Sequence, residues 1–226
     1  MIFPVFASVI VFCIWLAYEI RKSNKRGEKA EKAFWDKEAE ADNTRKMPLD
    51  NLHYIVIPDE IFKPFLKENG EFIETDESTE KVLFDAVTAF KHLKNSKIVN
   101  FSNITNTDLK LTYGAANLPE LTLYDQNYVL LMRTLQSMGE YFHAAGDKET
   151  AKLMLEFAVS SGSDSIGTFK LLSSIYIDEQ DFSKINYLIS SASLLTGLTK
   201  GPILKHLHEI APSDKENEES ILDILD

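Results

Sequence analysis

Thiols are almost missing from this chain: Cys13 is the only cysteine in 226 residues, and it sits inside an apolar run. The rest of the sequence therefore has no side chain for a disulfide, a cysteine zinc site or a thiol nucleophile. Glycine and proline are scarce as well, nine and seven, which excludes a low-complexity chain. Positive charge is in short supply, with 24 Lys and Arg against 35 Asp and Glu. Such a balance lacks the basic footprint that nucleic acid requires, so nucleic acid is not an expected partner.

What is present first is a long apolar stretch. Residues 1–18, MIFPVFASVIVFCIWLAY, carry no charge and only Ser8 as a clearly polar side chain. Their Ile, Leu, Val and Phe side chains favour bilayer insertion by roughly 3 to 6 kcal/mol, even with Glu19 near one end. Residues 1–20 as a helix reach about 30 Å, the thickness of one hydrocarbon core. A cleaved signal peptide would want basic residues ahead of the run and small residues at its end, where this chain has LAYEIRK. The expectation is a retained single transmembrane helix over residues 1–20.

Six basic residues follow: Arg21, Lys22, Lys25, Arg26, Lys29 and Lys32, offset only by Glu28 and Glu31. This collar suits anionic lipid head groups, at about 1 kcal/mol for each Lys or Arg near the surface. Because no charge precedes the run, the positive-inside rule puts the N-terminus outside and the C-terminal domain in the cytoplasm. From Phe34 onward eighteen basic residues face thirty-two acidic ones, net −14. Residues 21–46 read as a charged juxtamembrane stalk, with Phe34 and Trp35 either packing on the domain or sitting at the head-group layer.

Residues 47–131 form a helical and irregular N-terminal part of the soluble domain. Pro58, Pro64 and Gly70 limit residues 49–76 to short elements, and no partner strand exists for Tyr54-Ile-Val-Ile57. Val82, Leu83, Ala86, Val87, Phe90 and Leu93 recur at helical spacing, which predicts a helix over residues 78–94. An Asn- and Thr-rich loop follows at residues 100–117, where local side-chain bonding replaces regular structure. Its length makes Asn103, Asn106, Tyr113, Gly114 and Asn117 a second candidate site. Asn100-Phe-Ser and Asn103-Ile-Thr have the form of glycosylation acceptors, at odds with a cytoplasmic domain. Pro119 fits the first turn of the next helix.

Self-similarity appears at a shift of 34 residues. Leu135 then falls on Phe169, Met138 on Leu172, Gly139 on Ser173, Phe142 on Tyr176, Asp147 on Asp181, Leu155 on Ile189 and Ala158 on Ala192. Over residues 132–211 the chain resembles the tetratricopeptide-repeat (TPR) family, which has this period. Its first helix pattern is met by Leu135, Met138-Gly139 and Phe142, its second by Ala151, Leu155 and Ala158. The second copy has Phe169, Leu172-Ser173, Tyr176, Ile185, Ile189 and Ala192. Ile185 stands where the family has a small residue, and Ser163 and Gly197 where a repeat often ends in Pro. A generic helical bundle is the alternative.

The resemblance implies two TPR-like repeats and a capping helix near residues 201–210, followed by an acidic tail at 212–226. Two repeats bury little by themselves, so the 78–94 helix is expected to complete the core. It further implies a partner-binding groove lined by Arg133, Gln136, Glu140, His143, Lys170 and Ser174. Ser174 replaces the Asn with which chaperone-binding members of the family clamp a carboxylate, so that subclass is not implied.

Catalytic and metal patterns are incomplete. Gly162-Ser-Asp-Ser-Ile-Gly167-Thr168 approaches a phosphate-binding loop but has Thr168 where the phosphate lysine belongs, and no strand precedes it. Glu140-x-x-His143 has di-iron spacing without a second copy. His206 and His208 point to different helix faces, and His53 and His92 have no carboxylate or thiol at ligand spacing. The fold class expected is all-α, with an N-terminal transmembrane helix and a TPR-like helical repeat. The function expected is a membrane-anchored scaffold or adaptor that binds a protein or peptide, needs no cofactor or metal and is not an enzyme. A protein-import or translocation receptor and a membrane-bound enzyme using the 100–117 loop are the alternatives.

Overall fold

The computed structural model describes residues 3–76 and 80–211, with side chains described from Ile10 onward. These residues are all-α, with nine α-helices, two short 3-10 turns and no strand among them. The only strand-like pairing among them is an isolated bridge between Leu66 and Phe72. The acidic tail, with its stripe Ile221, Leu222, Ile224 and Leu225, lies outside the described residues. Backbone contacts group the chain into two compact units, Met1–Asp50 with Ile104–Pro119, and Asn51–Asn103 with Glu120–Asp226.

The first unit holds α1 (Phe3–Asp42) and α4 (Asn106–Tyr113). Helix α1 carries the apolar run, the basic collar and most of the stalk without a break, as its lack of interior Pro after Pro4 allows. No helix among the described residues is long and apolar enough to cross a membrane; the side chains of residues 1–9, half of the apolar run, are outside that description. Phe34 and Trp35 are exposed and meet edge to face, with ring centroids 5.3 Å apart. The far end of α1 packs along α4, burying Ala41 and Leu109.

Helix α4 corrects the expected loop at 100–117. Thr105 caps it by accepting from the Asp108 N–H, so side-chain bonding there starts a helix instead of replacing one. A 3-10 turn, Ala115–Asn117, follows and leads straight into α5 (Leu118–Ala144). Pro119 lies in the first turn of α5, where its missing N–H costs nothing.

The second unit begins with α2 (Asp59–Phe62) and α3 (Lys81–Leu93), the latter beginning three residues later than the periodicity predicts, while residues 77–79 lie outside the described residues. One core cluster joins Phe62, Phe65, Phe90 and Leu93 to Leu131, Leu135 and Met138 of α5 and to Met154 and Ala158 of α6 (Lys148–Ser160). A second joins Ala151 and Leu155 of α6 to α7 (Ile166–Asp178), α8 (Phe182–Ser193) and α9 (Lys200–Ile210). Phe142 packs against both clusters.

The 34-residue period is also a period of geometry. Helices α6 and α8 start 34 residues apart, as do α7 and α9, and α5 and α7 end 34 apart. The two hairpin turns repeat the same backbone hydrogen bonds and the same cap. Gly146 and Gln180 have φ of 84° and 58°, the Asp147 and Asp181 N–H groups donate to Phe142 and Tyr176 at 2.9 Å, and the two carboxylates cap α6 and α8. Lys148–Asp178 (2.9 Å) and Lys152–Glu179 (2.8 Å) pair the start of α6 with the end of α7, so α6 and α7 run antiparallel and the two hairpin turns lie at the same end. Helix α5 is longer than α7, and its extra N-terminal turns carry Tyr124, Asn127, Tyr128 and Leu131 into the core.

Candidate functional site

Helices α5, α7 and α9 carry residues at 34-residue spacing: Glu140, Ser174 and His208 are each exposed, and Lys170 and Ile177 are exposed on the same helix as Ser174. Gln136 joins the first two helices: its Oε1 accepts from the Ser165 hydroxyl at 2.6 Å, and its Nε2 donates to Glu140 at 2.9 Å. Gly167 makes that approach possible, since a Cβ there would stand 2.6 Å from the Gln136 Nε2. Ser174 turns its hydroxyl back to the Leu171 carbonyl, while Arg133 and Lys170 extend into solvent. The Nδ1 of His143 is buried without a hydrogen-bond partner among the described residues. The ring also lies near enough to Asp178 to help hold that carboxyl low, after the larger effect of the Lys148 hydrogen bond.

The second candidate group divides between the two units. Asn103 belongs to one; Asn106, Tyr113, Gly114 and Asn117 belong to the other. Within the latter, Asn117 Nδ2 donates to the Met47 and Tyr113 carbonyls at 2.7 Å, and the Met47 N–H donates to Tyr113 at 2.9 Å. Gly114 adopts φ 89°, and a Cβ on it would fall 2.3 Å from the Arg45 carbonyl oxygen. Only glycine fits so close an approach. These residues fasten the segment after α1 against α4. Asn106 is exposed at the start of α4.

Asn103, in contrast, borders a cavity of about 560 Å³ in the second unit, formed by the 100–103 turn, the α6–α7 loop and the α8–α9 loop. Val159, Phe169 and Leu195 supply apolar surface, Tyr187 an aromatic wall, and Asn100, Ser102 and Ser191 polar groups. Asp164 is the one charged side chain in the lining. Tyr128 braces the α6–α7 loop, its hydroxyl donating to the Gly162 carbonyl at 2.8 Å. Burial, and then the Asp164 carboxylate, push the Tyr128 phenol up to about 12. No motif marks the cavity, because its walls come from segments far apart in the chain.

Elsewhere the polar groups serve packing. Tyr176 donates to Glu156, which also receives Lys184 at 3.1 Å; burial and then that carboxylate raise the phenol. Residues 162–168 form the cap of α7, with no strand before them. Among the described residues no group of three or more His, Cys, Asp or Glu could hold a metal ion.

Compared with protein-family models, curated proteins and solved structures, the chain matches none of them.

Proposed function

We propose that this chain is a membrane-anchored protein-interaction module, a scaffold or adaptor whose TPR-like hairpins recognise a partner near a bilayer. The observation that supports the reading is the 34-residue spacing of the helices from α5 to α9, with Glu140, Ser174 and His208 exposed at equivalent positions. Aligned helices of this kind offer a groove for a helix or an extended peptide. Arg133, Gln136, Glu140, His143, Lys170 and Ser174 are its proposed lining.

The anchor rests on the uncharged residues 1–18 and the six basic residues that follow. Lipid is the partner of this part of the chain, and the basic collar sets the following domain on the cytoplasmic face. Tethering restricts the domain to a surface and raises the local concentration of a partner there.

The test is crosslinked capture from solubilised native membranes, comparing the intact protein with Arg133→Glu/Lys170→Glu. One partner retained by the first and lost by the second, with helicity unchanged, supports the groove. Equal recovery from both removes it.

A further inference from the structure

We propose that a cleft between α6 and α8 is a second peptide-binding site, for an extended segment of a partner that carries two apolar side chains between basic ones. Helices α6 and α8 each pack on α7 and touch one another little. The cavity beside Asp164 continues into a neighbouring one of about 390 Å³, since Ser160 and Tyr187 line both. Leu153, Glu156, Phe157 and Ser160 lie on one face of α6, at the three- and four-residue spacing of helical neighbours. Lys184, Tyr187 and Ser191 do the same on α8. Tyr187, 44% exposed, stands where the two cavities meet. None of these residues belongs to the lining proposed on α5 and α7.

The dimensions select an extended chain. Leu153 to Ser160 and Lys184 to Ser191 each rise about 10 Å along their helices, and α2 and the α8–α9 loop add the two ends. About five residues of extended chain, at roughly 3.3 Å each, cover that length. Alternate side chains of such a chain point the same way, so two of them enter the cavities on either side of Tyr187. Val159, Phe169 and Leu195 line one cavity and Ile61, Leu153 and Phe157 the other, which makes both entrants apolar. A partly exposed tyrosine between them is the kind of aromatic anchor on which binding energy concentrates.

Charge sets the flanks. Asp164 is exposed in the first cavity, and Glu60 is exposed in the second, 3.9 Å from Lys63. Glu156 is already matched by Lys184 at 3.1 Å. An exposed carboxylate in each cavity favours lysine or arginine on both sides of the apolar pair. The same charges disfavour the chain's own residues 212–226, which hold six acidic residues against Lys215.

The full chain in dodecylmaltoside, with labelled Ile, Leu and Val methyl groups, is titrated by NMR with three capped pentapeptides: Lys-Leu-Ser-Leu-Lys, Glu-Leu-Ser-Leu-Glu and Lys-Ser-Ser-Ser-Lys. The first is expected to shift the methyl resonances of Leu153, Val159 and Leu195 and to leave those of Leu135 and Leu207 in place. The other two should bind at least about tenfold more weakly, as should the first peptide to Tyr187→Ala and to Ser160→Trp, which fills the junction. Circular dichroism melts should show both variants folded. Absence of shifts up to the solubility limit, equal binding of the acidic peptide, or unchanged binding by both variants overturns the proposal. Shifts at Ile177 instead assign the peptide to the exposed face of α7 and overturn this site. Movement of the cleft methyl resonances on deletion of residues 212–226 places that segment in the cleft and overturns the external partner. Neither the anchor nor the lining on α5 and α7 enters this test, so it can fail or succeed without them.

Discussion

The hydroxyl of Tyr128, in the third turn of α5, donates to the Gly162 carbonyl in the α6–α7 loop at 2.8 Å. This bond links the loop to the core. Tyr128→Phe is expected to cost about 1 kcal/mol, since one hydrogen bond is lost and a carbonyl is left to find water. A urea titration measures it. The phenol, ordinarily at 10.0, is raised by burial to about 12 in the fold. A raised folded value means the contribution is complete below pH 10 and is lost as pH climbs through about 12. Phenolate absorbance of wild type minus Tyr128→Phe should show one tyrosine that titrates late.

The two hairpin turns make opposite predictions at equivalent positions. Gly146 and Gln180 both have positive φ, and nothing lies within 4 Å of a Cβ on Gly146. Gly146→Ala therefore costs only the backbone term, about 1 kcal/mol. Gln180→Gly relieves the same strain and should be neutral or stabilising by a few tenths to about 1 kcal/mol. Urea midpoints that move in the same direction would contradict the equivalence of the turns.

Gly139 faces Leu155, and an added Cβ would sit 2.6 Å from the leucine Cγ and Cδ2. Gly139→Ala should destabilise by about 1–3 kcal/mol through overpacking. Adding Leu155→Ala should recover part of that loss, giving a coupling of about 1 kcal/mol in a double-mutant cycle. Simple additivity would show that the helices do not meet there.

At the end of α1, Lys110 bonds both Glu38 and Asp42, and Thr107 donates to Glu38 at 2.6 Å. The Lys110 bond, then that of Thr107, holds the Glu38 carboxyl below the usual carboxylate range. Its contribution is thus present above that range and disappears as pH falls through the lowered value. Amide protection factors over residues 106–113 should drop on acidification in wild type. Glu38→Gln should lower them at neutral pH and flatten the dependence. Protection that is insensitive to both changes would remove the ion pairs from the account of this contact.

How much could be read in advance depended on the range of the interaction. The apolar spacing of Ala86, Val87, Phe90 and Leu93 announced α3, because helix periodicity is a property of neighbours on one face. Helix α4 was missed, since the same Thr and Asn side chains suit a loop or a cap, and only Thr105 accepting from Asp108 selects the cap. The proposed groove residues come from the TPR resemblance alone. The lining of the cavity beside Asp164 follows from no local pattern at all.

The helical class and the 34-residue hairpins are written locally, because apolar spacing and capping aspartates act within a few residues of one another. Only the packed fold shows that Gly114 and Asn117 serve the backbone near Met47, and that Asn103 and Asp164 line one cavity. Those contacts join residues tens of positions apart, where chain proximity carries no information and only the packing of helices brings the side chains together.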